Sequence, residues 1–493
     1  MEMQNKTLPE ENRKSWFGSK TSYSLDQKEK GYEETQSMGF QSKDPIIAIQ
    51  MPDKASKEKE AMGAVAQRGH GGHGISVEHP TSYGETLMHL LKGNVGSGVF
   101  AMGDAFKNAG IAVAPGLTLF LGFICVHSMH LLLGASKKMT EKLKLESSPD
   151  FAQTVELCFA TGPLSLRKIA PYMRKLINLF LCVTQLGFCC VYFVFISTNI
   201  KQVVDYYGFK MDVHLHMAIV LFPILLTCFI RNLKYLAPFS IIANILMLAG
   251  ISITLYYTSV DLPSITTRHY AADIQKLPLF FGTALYAFEG IGLVLPLQNE
   301  MKKPNQFPRP FGVLNLGMTI VTFLYFTVGF LGYLKYGEDV AGSITLNLPE
   351  DEILAQSVKV IIPLGILLSY ALQFYIPIDI MWPPVNESLG PFKFPIFAEL
   401  SFRALFVLLT FVLAEAIPYL NLFISLVGAV SSTALALIIP PILDMVISCS
   451  VSEVTPWTLS KNIFILAVGI LGCITGTYES INEIVKAFVS DNK

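Results

Sequence analysis

From about residue 84 to about residue 485 the sequence is a succession of long apolar runs separated by short polar gaps. A helix needs about 20 apolar residues to cross a bilayer, and lipid offers no partner to an unpaired N–H or C=O. A chain of this pattern therefore folds as an all-α polytopic membrane protein. Eleven runs meet the requirement, at roughly 85–107, 111–135, 176–204, 214–230, 235–257, 278–299, 311–335, 355–382, 395–416, 418–446 and 461–485. Charge agrees, since 15% of the 493 residues are charged, against roughly 25% in soluble domains. Most of the eight cysteines lie inside the runs, where the side chain behaves as a small hydrophobe. None falls in an expected outer loop, so no structural disulfide is expected.

Residues 1–80 differ sharply from the rest. They hold 11 Lys/Arg and 12 Asp/Glu, are rich in Gln and Ser, and cannot bury enough apolar surface to fold alone. The expected organisation is a disordered tail over 1–80 and a transmembrane domain over 81–490. His70 and His73 lie in the tail's RGHGGHG stretch, but two histidines without nearby cysteine make a poor metal site. No secretory signal peptide is expected, because the first apolar run starts so late. The net charge of −1 gives no basic footprint for nucleic acid.

Lys and Arg in the gaps set the orientation. The gap after span two holds Lys137, Lys138, Lys142, Lys144, Arg167, Lys168, Arg174 and Lys175. The gap after span four holds Arg231 and Lys234, and the gap after span six holds Lys302, Lys303 and Arg309. Alternate gaps carry fewer, so the N-terminus is expected in the cytoplasm. The sequons at Asn5 and Asn386 then fall on the unglycosylated side.

Span one is broken. In MHLLKGNVGSGVFAMGDAFKNAG, residues 88–110, Gly93, Gly96 and Gly98 fall within six residues, with Asn94 and Ser97 between them. Each glycine costs a helix about 1 kcal/mol relative to Ala, and the freed backbone groups need a cavity or protein around them. Span six, LFFGTALYAFEGIGLVLPLQNEMKKP, is interrupted at Gly282, Gly290 and Gly292, five spans later. Matching interruptions at that interval suggest a five-plus-five inverted repeat, with an eleventh helix added. The competing reading is that the glycines merely let helices pack closely.

Real breaks would present free N–H groups at Gly96, Ser97 and Gly98 to a carboxylate, and carbonyls near Ala287 and Phe288 to an ammonium group. An α-amino acid fits that pair. Gly93, Asn94 and Gly290 would complete the site, with Tyr286 and Phe288 as aromatic gates. No Walker loop, nucleophile elbow or zinc cluster is present, so no enzymatic activity and no cofactor are expected. Uphill transport would then draw on an ion gradient. Ionisable residues at membrane depth are candidates for proton handling: His89, His127 and Glu289, and with less support His130 and Asp379. For each, the plain alternative is a hydrogen-bonded structural group. Asp104 and Lys107, three residues apart, read as a local ion pair.

HLLKGNVGSGVFAMGDAFKNAG at 89–110 resembles the opening helix of the proton-coupled amino acid transporters, a branch of the amino acid/auxin permease family. FFGTALYAFEGIGLVLPLQNEMKKP at 280–304 resembles that branch's sixth helix, and QFYIPIDIMWP at 373–383 its eighth. The resemblance spans 80–490 and is of insect type. It implies an inverted-repeat fold with helices one and six unwound. It also implies symport of protons with small neutral amino acids such as glycine, alanine or proline. It assigns proton coupling to the histidine of HLLKGN, here His89, and to a second-helix histidine best matched by His127. Related members act at the plasma membrane, the residence expected here, or on lysosomes, and some feed TOR-dependent growth. Three departures stand out: Gln298 where relatives carry an acid, Asp104 in a stretch usually apolar, and no cysteine in an outer loop. The leading expectation is a proton-driven symporter working by alternating access. A slow-transporting amino-acid receptor and a proton-independent facilitator are the alternatives. The sequence does not set the oligomeric state.

Overall fold

A computed structural model describes residues 80–231, 233–451 and 454–491. The expected tail over 1–80, with Asn5, His70 and His73, lies almost wholly outside the described residues. Among the described residues the chain is helical, apart from one isolated bridge between Thr81 and Met301.

Span one is two helices, α1 (Tyr83–Asn94) and α2 (Ser97–Ala109). Ser82 starts α1 with a capping box, its hydroxyl accepting from Glu85 N while its own N–H donates to Glu85 Oε2 at 2.7 Å. Then follow α3 (Val113–Leu143), α4 (Phe151–Ala160), α5 (Ala170–Tyr206), α6 (Val213–Cys228) and α7 (Leu233–Ser259). Span six is again two helices, α8 (Leu277–Ala287) and α9 (Ile291–Asn299). The chain continues with α10 (Val313–Tyr336), α11 (Ile353–Leu389), α12 (Pro395–Ala416), α13 (Leu420–Ser450) and α14 (Pro456–Asp491).

Among the described residues, nine segments are long and apolar enough to cross a membrane. The other two expected spans are the split pair α1/α2 and α6, which has 16 residues. Several helices outrun their expected ends. α5 starts at Ala170 and α11 reaches Leu389, because helix continues into the polar interface after the apolar run stops. The sequence reading left 151–160 as part of a basic gap, but it is a helix with Phe151–Phe159 buried against α3 and α5. Asp150 caps it by accepting from Gln153 N at 2.7 Å, and Glu156 pairs with Arg174 at 3.0 Å. At ten residues it is too short to span, so it closes one end of the bundle instead.

The two broken helices pack against each other in opposite directions. α2 lies on α8, and α1 lies on α9. This places the halves of span one beside the opposite halves of span six, as an inverted five-plus-five arrangement requires. The crossing is close enough to need glycine. A Cβ on Gly98 would sit 2.8 Å from Ala287 Cα, and one on Gly290 would sit 2.6 Å from Asn94 Oδ1. The two readings of these glycines, helix break and close packing, are both correct.

Gly98→Ala forces the Ala287 backbone to shift, and overpacking of this kind costs about 1–3 kcal/mol. The expected result is a lower melting temperature in detergent. Gly116→Ala, in α3 with no atom near its new methyl group, is expected to melt unchanged or slightly higher.

Candidate functional site

The breaks do what lipid forbids elsewhere, exposing backbone polar groups at membrane depth. α1 ends at Asn94, with Val95 extended, and α2 begins at Ser97 behind an N-cap, Gly96, that offers no side-chain cap. α8 ends at Ala287, and α9 begins behind Gly290, also without a side-chain cap. Two helix N-termini and two helix C-termini thus meet within a few ångströms. Their partial charges are positive and negative respectively.

A small cavity lies where they meet. Gly93, Asn94, Gly96, Ser97 and Gly98 line it from span one, and Tyr286, Ala287 and Glu289 from span six. Phe288 and Gly290 are buried at the break without lining the cavity. The remaining wall comes from Phe188 and Tyr192 of α5 and Gln373 of α11. The sequence reading missed these three. Phe188 and Tyr192 sit in an apolar run like any other, and nothing in it marks which face meets the breaks. Gln373 opens the QFYIPIDIMWP segment, where a polar residue inside an apolar run was the available signal. The space at the centre is about 20 Å³, room for one water. The site is therefore closed down in this conformation.

Hydroxyls bridge the two breaks. Ser97 Oγ and Tyr286 OH hydrogen-bond at 2.8 Å across the two broken helices, and the Phe188 ring stands edge-on to Tyr286 at 4.8 Å. Tyr325 of α10 is fully buried, and its hydroxyl lies 2.5 Å from Asn94 O and 2.6 Å from Ala287 O. The Ala287 carbonyl, expected from sequence to hold an amine, thus accepts from Tyr325 here.

Glu289 is the one charged side chain lining the cavity. It is 5% exposed, its Oε2 has no hydrogen-bond partner among the described residues, and the Ser432 hydroxyl of α13 lies beside it. The two histidines expected to work with it stand elsewhere. His89 is exposed on α1 and does not line the cavity. His127 is half-buried on α3 with Nε2 buried and unpartnered. It faces Asp444 and Lys461, an ion pair at 3.8 Å that Asn462 joins by donating to Asp444 Oδ2 at 2.7 Å. His130 is structural, its Nε2 bonded to Asn315 Oδ1 at 2.8 Å. Asp104 and Lys107 form the expected local pair at 3.0 Å. Asp379 is half-buried on α11 and has a partner of its own. Among the described residues no group of three metal-ligating side chains occurs.

Contacts fasten the crossing at both ends. On the Tyr83 side, Thr81 N donates to Glu300 O at 2.8 Å and Lys302 N to Thr81 O at 2.9 Å, tying the start of α1 to the end of α9. At the other end, residues 337–348 fold inward between α10 and α11. Ile344 wedges against Gly103 and Gly332, Thr345 donates to Asn199 Oδ1 at 2.6 Å, and Lys359 donates to Leu348 O at 2.9 Å.

Comparison with known proteins follows the same lines. The family described as transmembrane amino acid transporter protein matches residues 79–482. In Drosophila melanogaster, the proton-coupled amino acid transporter-like protein pathetic is 37% identical over 412 residues, covering 83% of this chain and 87% of that protein. In Caenorhabditis elegans, the probable amino acid transporter skat-1 is 28% identical over 441 residues, 84% of this chain and 93% of that one. Among solved structures, MhsT in complex with L-phenylalanine aligns with 80% of this chain and 98% of its own, at TM-score 0.47 and 14% identity.

The His130–Asn315 contact joins α3 to α10 at a part-buried site, so its loss is expected to cost about 1 kcal/mol. His130→Ala and Asn315→Ala are each expected to lower the melting temperature. The double variant is expected to melt above the additive value, as a thermal double-mutant cycle would measure.

Proposed function

The chain belongs to the transmembrane amino acid transporter family, and on that premise we propose that it carries small neutral amino acids of the glycine, alanine and proline type together with protons, by alternating access at the two breaks. The observation that carries this reading is the meeting of four helix ends on one closed cavity. The N–H groups at Ser97 and Gly98 take the substrate carboxylate, and the negative ends of α1 and α8 take its ammonium. Both charges of a zwitterion are met by backbone, so no charged side chain is needed for either. Phe188, Tyr192 and Tyr286 close over what remains, which favours a small side chain.

The coupling proton resides on Glu289. A carboxylate enclosed without a cation is costly in hydrocarbon, so this side chain carries a proton whenever the cavity is shut and gives it up when water enters. His127 and His89, outside the cavity, serve as relays towards solvent. The multi-pass chain sits with its N-terminus in the cytoplasm, in the plasma membrane, with lysosomal or late endosomal membrane as the other residence to examine by tagging.

Amino-acid-evoked current in an expression system, recorded at acidic and neutral pH, tests the function. A response to glycine, alanine or proline that grows at acidic pH is expected, and no response to any amino acid overturns it. Glu289→Gln mimics the protonated state permanently. It is expected to retain exchange of labelled substrate across the membrane while net uptake loses its pH dependence. An unchanged pH profile removes Glu289 from the coupling. Substituting His89 by Ala is expected to slow proton delivery and weaken the pH response without changing the substrate KM.

A further inference from the structure

Tyr325 makes two contacts with one hydrogen. Its hydroxyl oxygen is 2.5 Å from Asn94 O and 2.6 Å from Ala287 O, both at the short end of the O–H···O range. A phenol donates a single hydrogen. At any instant one of the two carbonyls faces a lone pair rather than a proton. These carbonyls belong to the last residues of α1 and α8, where each half-helix concentrates its negative partial charge. Two negative helix ends thus converge on a group that can satisfy one of them. The ring cannot withdraw to water, since the side chain is fully buried and Phe288 stands edge-on to it at 5.1 Å. What suits these oxygens is a cation with several N–H donors, and Asn94 and Ala287 both line the central cavity.

We propose that the Tyr325 hydroxyl is a stand-in for the substrate's ammonium group, bridging the carbonyls of Asn94 and Ala287 while the site is closed and displaced from them when an amino acid binds. The inference rests on the transport reading above and adds a residue to it. Tyr325 is a positioning residue that holds the two breaks together without substrate and competes with substrate for the same acceptors. Binding then replaces one hydrogen shared by two carbonyls with one hydrogen for each.

The test compares wild-type protein with Tyr325→Phe in labelled-glycine uptake, alongside melting temperature. Removing a competing hydrogen bond is expected to lower KM roughly five- to tenfold. A role in packing alone would change the melting temperature or surface level and leave KM where it was, and that result, or a rise in KM, overturns the proposal. A second measurement does not depend on the variant folding. With 3-fluorotyrosine placed at position 325 of the full chain, the fluorine resonance is expected to move on saturation with glycine. An unmoved resonance in protein that still takes up glycine overturns this proposal alone. Absence of uptake by the wild type overturns the transport reading and this one with it. A resonance moved by sodium ions without amino acid assigns the oxygens to an inorganic cation and also overturns the proposal.

Discussion

Every backbone polar group at membrane depth needs a partner, and the rest of this structure follows from how two interrupted helices meet that demand. An unbroken span satisfies itself. α1/α2 and α8/α9 do not, so their free ends must be brought to each other and to side chains that supply hydrogens. The antiparallel packing of the two spans achieves the first. Tyr325 achieves the second for the two C-terminal ends with one hydroxyl, while the Ser97–Tyr286 hydroxyl pair links the two broken spans directly. Glycine at 98 and 290 is what lets the backbones come close enough. The proposed binding site is thus the place where the fold's own hydrogen bonding is left incomplete, which is why a zwitterion is the proposed occupant.

The same pairing governs closure. Because α1 lies on α9 and α2 on α8, each end of the crossing can be fastened independently. One fastening is a pair of backbone hydrogen bonds at Thr81, Glu300 and Lys302. The other is the inward fold of 337–348, whose contacts reach α2, α5, α10 and α11 at once. Neither uses a large hydrophobic interface. The first consists of backbone hydrogen bonds, the second of a few hydrogen bonds and the wedged Ile344 side chain, each hydrogen bond worth about 1 kcal/mol. The central space of about 20 Å³ belongs to a state with both fastenings made.

Sequence carried the architecture because the bilayer imposes it residue by residue. Run length gave the spans, and paired glycine clusters gave the breaks. Eight residues of spans one and six expected at the site do line it, from Gly93 to Glu289. What stayed hidden has a common cause. Phe188 and Tyr192 are apolar residues in an apolar helix, and both faces of such a helix read alike when lipid and protein interior are equally apolar. Tyr325 was hidden in the same way, inside VTFLYFTVGF. The buried helix α4 was lost because the charge of its flanks outweighed ten apolar-rich residues. His89 shows the converse: its position along the chain, one turn before the break, does not place it in the cavity, because its side chain leaves the other face of α1.

Two carboxylates are buried in the broken helices, and their surroundings separate their roles. Asp104 is 2% exposed, but Lys107 lies 3.0 Å away and Asn108 Nδ2 donates to it at 3.3 Å. Lys107 also donates to Val340 O at 3.0 Å, so the pair fastens α2 to the inward fold of 337–348. Its charge is balanced in place, and moving a proton onto it would free a lysine in a buried setting, so it has little to gain from titrating. Glu289 has no such cation and lines the cavity. Of the two, Glu289 is the one that the proposed coupling requires, because no counter-charge holds it in one state. The acid at Asp104 therefore stands apart from the central cavity and fastens α2 to the inward fold of 337–348.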